Sequence, residues 1–157
     1  MRSIRDIRVL QGIPVLVRAA LNVPIKNGNV VNDYRLRRAL PTIRFLAERG
    51  ARVVLISHSG ERGTETLKPA ADALGTLIKG VSFLGETIGA RARGAVRDLA
   101  PGNILVLENL RRNRGEVEND AVFSRELASL ADIFAEDCFD TCHRNHASIV
   151  GVPKLLP

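Results

Sequence analysis

Tryptophan is absent from this 157-residue chain, and phenylalanine and tyrosine together bring the aromatic content to only 4%. So few flat rings leave little on which nucleobases could stack, which argues against a surface for single-stranded nucleic acid. Long apolar runs are also missing: no stretch reaches the roughly 18 residues that a membrane-spanning helix needs. The N-terminus, Met1-Arg2-Ser3-Ile4-Arg5-Asp6-Ile7-Arg8, is broken by charges and offers no apolar signal-peptide core. Without an export signal, the two cysteines, Cys138 and Cys142, are expected as reduced thiols of a cytoplasmic protein. There is no Gly-x4-Gly-Lys-Ser/Thr loop and no Gly-x-Gly-x-x-Gly after a strand, so the chain shows no nucleotide site of its own. Internal repeats, low-complexity segments and an internal domain boundary are lacking too.

What is present fits one folded domain over 1–157. Apolar residues make up 45% and charged residues 25%, both ordinary for a globular chain. The length suffices to bury a core without disulfides or metal. The formal charge is +6, from 23 basic and 17 acidic residues, and the basic excess is mostly arginine. The planar guanidinium fork suits carboxylate and phosphate. The balance therefore admits nucleic acid or a small anion as partner. A nucleic-acid binder would spread its cations across helices and bind with steep salt dependence; a small-anion site would gather them in a hollow.

Apolar runs at 14–18, 52–56, 81–84, 104–107 and 132–135 read as strands, separated by segments of helical spacing. Asp33 is the expected N-cap of the first helix, Pro41 the point where it should kink or restart, and Gly50 its terminator. Lys26-Asn27-Gly28-Asn29 reads as a turn. Pro69 suits the first turn of the second helix, and Asp120 caps the last. Continuous apolar strands alternating with helices predict an α/β fold: a three-layer α/β/α, Rossmann-like domain with a central parallel sheet.

In such a sheet, ligands bind at the carboxyl ends of the strands. The segments there are 19–24, 57–64, 108–115 and 136–147. They carry Asn22, His58, Arg111, Arg112, Arg114, His143, Arg144 and His146, and Arg35 at the start of a helix can point the same way. Converging arginine and histidine make a site for a small polyanion. Arg37, Arg38, Arg91, Arg93 and Arg97 are assigned to solvated helix faces. The segment 136–151 is the densest of all in polar chemistry. Its Cys138, Cys142, His143 and His146 leave a zinc site and a catalytic thiolate open as alternatives. The spacing is unlike the usual zinc-finger patterns, and the adjacency of Cys142 and His143 strains a tetrahedral site. Small buried thiols that fill space are the favoured reading.

The order and spacing of several short stretches resemble the phosphoglycerate kinase family along essentially the whole chain. They are Val15-Leu-Val-Arg-Ala-Ala-Leu-Asn-Val-Pro24, Asn32-Asp-Tyr-Arg-Leu-Arg37, Leu40-Pro-Thr-Ile43, Ser57-His-Ser-Gly60, Leu67-Lys-Pro69, Leu107-Glu-Asn-Leu-Arg111, Leu127-Ala-Ser-Leu-Ala-Asp132 and His143-Arg-Asn-His-Ala-Ser-Ile-Val-Gly151. The resemblance is to that family's N-terminal domain, which holds 3-phosphoglycerate or 1,3-bisphosphoglycerate, while a C-terminal domain holds Mg-ATP or ADP. It implies a substrate pocket of Asn22, Arg35, His58, Ser59, Gly60, Arg111 and Arg144, with Arg35 also catalytic, stabilising the phosphoryl group in transfer. His58, Arg111 and Arg144 would neutralise the phosphate that stays behind. No metal site is implied here. The cofactor, Mg-ATP or ADP, belongs to the nucleotide domain, which is absent from this chain, so kinase activity is not expected from it alone. The implied partner is a small phosphorylated carboxylate, with no nucleic acid and no membrane. Self-association through the apolar tail 152–157 or the cleft edge is a further expectation.

The resemblance has gaps. The first loop usually reads Asp-Phe-Asn and here is Ala20-Leu21-Asn22. Glu61 stands where arginine is usual. In the last loop Glu136, Cys138, Asp140 and Cys142 replace Asn, Ala, Gly and Ala. Asp140 for glycine is the change expected to alter the backbone. The loss of the aspartate at position 20 is expected to weaken substrate binding. Ala20 and Glu61 also favour the alternative of a stand-alone, non-catalytic module for another anion or a protein.

Overall fold

The computed structural model describes residues 3–157. Strands β1 (Pro14–Ala19), β4 (Arg52–Ile56), β5 (Val81–Leu84), β6 (Ile104–Leu107) and β7 (Ile133–Asp137) form a parallel sheet in the order β5-β6-β4-β1-β7. Helices α1 (Tyr34–Glu48) and α2 (Lys68–Leu77) cover one face; α3 (Ala90–Asp98) and α5 (Ala121–Ala128) cover the other. A single turn, α4 (Arg114–Val117), precedes α5. The expected three-layer architecture is the observed one.

Alternation along the strands divides the core in two. Val15, Val17, Val53 and Leu55 point toward Leu36, Ile43 and Leu46 of α1 and Ala70 and Leu74 of α2. Leu16, Val54, Ile56, Leu105 and Leu107 point toward Ala92 and Val96 of α3 and Phe123 and Leu127 of α5. The segment after β1 leads to α1 on one face of the sheet and the segment after the neighbouring β7 packs on the other, so the chain splays apart at the carboxyl ends of β1 and β7. That crevice is where open α/β sheets bind ligands.

Several local expectations need correction. Asp33 does not cap α1; its carboxylate turns to Arg37, 2.9–3.0 Å away, and Asn32 Oδ1 accepts the Tyr34 amide at 2.9 Å instead. An arginine one turn along competes better for the carboxylate than the helix amides do. Pro41 neither stops nor restarts α1, which runs unbroken with this proline on the exposed face. Gly50 does end it: at φ +74° it closes a Schellman turn, with the Gly50 amide on the Ala47 carbonyl and the Ala51 amide on Leu46. The turn at 26–29 closes a two-residue hairpin of β2 (Ile25–Lys26) and β3 (Asn29–Val30), with Asn27 and Gly28 both at positive φ.

Two corrections bear on function. β7 runs on through Glu136 and Asp137, which lie opposite Arg18 and Ala19. These acids belong to the sheet rather than to the loop, because the ladder with β1 continues to its last residue. The tail is also less available than expected. Val152 is fully buried, Leu156 packs on the α3–α5 face of the core and the Phe134 amide donates to the Pro157 carbonyl, leaving Leu155 as its exposed large apolar side chain. No helix among the described residues is long and apolar enough to cross a membrane.

Candidate anion-binding site

The loop after β1 is tied to the loop after β4. Ser57 Oγ accepts the Leu21 amide at 3.0 Å and donates to the Ala19 carbonyl at 2.6 Å. The Gly60 amide donates to Asn22 Oδ1 at 3.3 Å. The loop after β6 is tied to the same segment through Asn109, which is completely buried. Its Nδ2 donates to the Ser59 and Glu65 carbonyls, both at 2.8 Å, and its Oδ1 accepts the Ser59 and Arg111 amides at 3.2 and 3.1 Å. Beside it, Glu108 accepts from the Leu67 and Asn109 amides, Thr66 Oγ1 and Arg112 Nη1 at 2.7–2.9 Å. Burial pushes the Glu108 carboxyl up, but these bonds together hold it below its usual range. Gly63 lets the two loops close: at φ +73°, a Cβ there would sit 2.1 Å from the Arg111 carbonyl oxygen.

The loops enclose a hollow of about 580 Å³ lined by polar and charged residues. Asn22, His58, Gly60, Arg111 and Arg144 all face it, as do Glu61, Asp140, Thr141 and His146. In a larger hollow, about 710 Å³, the charged residues are Asp33 and Asp72, carboxylates already paired with Arg37 and Lys68. Of the residues the resemblance implied, the structure therefore brings together Asn22, His58, Gly60, Arg111 and Arg144. Arg35 reaches the hollow's edge indirectly: its Nη1 lies 2.7 Å from Asp140 Oδ2. Ser59 is buried, with its main chain bonded to Asn109, and does not line the hollow. Arg112 and Arg114 turn away to Glu108 and Glu118.

The guanidinium of Arg111 donates to the Gly60 carbonyl at 2.7 Å. Burial, then the neighbouring charges of Arg144 and Arg18, hold its pKa below the ordinary arginine value. Arg144 makes no ion pair among the described residues. Crowded like charges that an anion would relieve are the electrostatic mark of this hollow.

Arg18 is the residue that sequence reasoning missed. It lies on β1, 1% exposed, beneath the floor of the hollow. Its Nη2 meets His58 Nδ1 at 3.0 Å, and its Nε donates to Ser148 Oγ at 3.2 Å. Ser148 Oγ donates in turn to the fully buried Glu116 at 2.6 Å, whose other oxygen accepts the Ser148 amide at 2.9 Å. A lone arginine inside an apolar strand pattern was the available signal, since a buried charge demands partners.

Because an arginine has only donors, His58 Nδ1 must accept, and the ring proton sits on Nε2. Burial, then Arg18 and Arg111, push the His58 pKa down to about 3. With no ligand in the hollow His58 is thus neutral at physiological pH, and its ring offers a hydrogen-bond donor there. Glu136, opposite Arg18, behaves in the reverse sense. Burial pushes its carboxyl up to about 7. One of its oxygens accepts the Cys138 amide at 2.8 Å and the other has no partner among the described residues.

Cys138 is buried, as a space-filling thiol should be, whereas Cys142 is exposed. Burial raises the pKa of both, most for Cys138, to about 11, which leaves neither poised as a thiolate. Among the described residues, Cys138, Cys142, His143 and His146 do not assemble into a metal-binding group. Asp140 does not need a glycine's conformational freedom either, since its φ is not positive. Its carboxylate faces the hollow.

The class of protein is a three-layer α/β domain with arginine-bearing loops around one carboxyl-end crevice. The family model for phosphoglycerate kinase matches residues 4–157, and the chain belongs to that family. It is 45% identical over 158 residues to phosphoglycerate kinase of Clostridium beijerinckii, covering 99% of this chain and 40% of that relative. To the Dictyoglomus turgidum phosphoglycerate kinase it is 42% identical, again over 99% of this chain and 41% of the relative. The solved phosphoglycerate kinase of Pyrococcus horikoshii superposes with a TM-score of 0.92 at 31% identity, over all of this chain and 41% of that one. The Coxiella burnetii enzyme gives 0.85 at 35% identity, over 98% and 39%. The chain thus spans about 40% of the length of the relatives it matches.

Proposed function

We propose that this chain is the phosphoglycerate-binding part of a phosphoglycerate kinase, holding 3-phosphoglycerate or 1,3-bisphosphoglycerate during phosphoryl transfer with Mg-ATP or ADP. The observation that carries this reading is the pairing of Arg111 and Arg144 in one hollow with a neutral, donor-oriented His58 and Asn22. Arg111 and Arg144 supply the charge for a phosphate. His58 Nε2–H and the Asn22 side chain supply directed hydrogen bonds. Arg35, on the hollow's rim, is the group that would stabilise the phosphoryl group as it moves, a role in which position and charge do nearly all the work. Mg-nucleotide is assigned to the family's C-terminal domain, as the resemblance implies.

The test is a calorimetric titration of the chain with 3-phosphoglycerate, inorganic phosphate and citrate. The reading expects a clear preference for the phosphoglycerate. Equal affinity for all three would overturn it. That outcome would favour the non-catalytic anion module, to which Glu61 and Asp140, acids facing the same hollow, lend support.

A further inference from the structure

The hollow contains its own anion. Asp140 lines it beside His58, Arg111 and Arg144, and its Oδ2 accepts from Arg35 Nη1 at 2.7 Å. The carboxylate is aimed rather than floating. Cys138 Sγ donates to its other oxygen at 3.0 Å, Thr141 Oγ1 donates to the Cys138 carbonyl at 3.1 Å, and residues 139–141 form a tight helical turn. The ion pair crosses from the start of α1 to the loop after β7, 105 positions away in sequence. It is the one ion pair among the described residues that joins a residue of the hollow's lining to an arginine outside it.

We propose that Asp140 is a tethered competitor for Arg35: a phosphorylated ligand of this hollow must displace the Asp140 carboxylate before it can use that guanidinium, so Asp140 sets how tightly, and with what charge, a ligand is held. The inference rests on the anion-site reading above. Its physics is that of a weak, replaceable contact. Both side chains are near half-exposed, at 44% and 43%, and ion pairs of that exposure are readily broken. A phosphate at pH 7 carries more charge and more acceptor oxygens than a carboxylate. It can therefore take Arg35 from Asp140 where a simple carboxylate ligand gains little. The held state is ready-made, since the Arg35 side chain is already ordered toward the hollow and need only change partners.

The test compares 3-phosphoglycerate affinity in the wild-type chain, Asp140→Asn, Arg35→Met and the double variant, by calorimetry at one salt concentration. Asparagine keeps the size and the Cys138 contact and removes the charge. Asp140→Asn is expected to bind about five- to tenfold more tightly than wild type, and the gain should fall below about twofold when Arg35 is already methionine. A conserved melting temperature and circular dichroism spectrum establish that each variant is folded, and both sites are exposed enough for that outcome. Equal or weaker binding by Asp140→Asn, with wild type binding normally, overturns the competition and leaves the anion-site reading intact. A full gain that survives Arg35→Met also overturns it, since Asp140 would then act by general repulsion. Absence of binding in all four proteins overturns the functional reading and the competition together.

Discussion

His58 brings no charge to the hollow, and the cause lies beneath it. Arg18 presses its guanidinium on Nδ1, so the ring proton is held on Nε2, facing the ligand space. With the pKa near 3, nuclear magnetic resonance should show one neutral Nε2–H tautomer from pH 5 to 8. A titration midpoint near 6.5 would contradict this account of the floor. The shift also makes His58 a source of acid lability. An unfolded His58 gains its proton near pH 6.5 while the folded one does not until about 3, so its contribution to stability is present above 6.5 and is lost as pH falls between those values. Glu136 acts in the opposite direction. Folded, it keeps its proton up to about pH 7; unfolded, it loses it near 4.5, so stability from this group falls as pH rises through that window. Glu136→Gln should therefore raise the denaturation midpoint at pH 8 and change it little at pH 4. A variant no more stable than wild type at pH 8 would show that the buried carboxylate is better satisfied than its geometry implies.

At the scale of elements, three of the site's loops are fastened together, by Asn109, Ser57 and Gly63 away from the ligand space and by Asn22 and Arg111 at its wall. Asn109→Ala removes an amide that joins the loop after β6 to the loop after β4 and strands buried carbonyls, which should cost about 3 kcal/mol in urea denaturation. Gly63→Ala forces a Cβ against the Arg111 carbonyl and strains a left-handed residue; a loss of about 2 kcal/mol, with weakened anion binding, is expected. This is also where the limits of the sequence show. The strands, the layer order and four loop ends were legible because apolar runs and helical spacing report burial directly. Asn22, His58, Arg111 and Arg144 could be assigned to one edge for the same reason. What could not be read was where side chains turn once they arrive: Asp33 toward Arg37 instead of the helix amides, Arg112 toward Glu108, Arg35 toward Asp140. Each choice depends on a partner several positions to a hundred positions away, and periodicity carries no information about it. Arg18 escaped notice because its strand reads as apolar, and only the fold reveals Ser148 and Glu116 waiting on that face.

For the molecule as a whole, the two-sided core and the splayed end of β1 supply a base, and the candidate site is concentrated on one edge of it. On the proposed reading, in which the nucleotide is held by a second domain, this chain alone is expected to show no ATP-dependent turnover of 3-phosphoglycerate in a coupled assay. Turnover above the protein-free background would overturn that. The most direct measurement is to map 3-phosphoglycerate onto the chain by amide and arginine-Nε chemical shifts during a titration. The account predicts saturable shifts concentrated at Asn22, His58, Gly60, Arg111 and Arg144, with the Arg35 Nε signal moving as Asp140 lets go. Shifts scattered over the helix faces, or confined to the hollow beside Asp33 and Asp72, would contradict it.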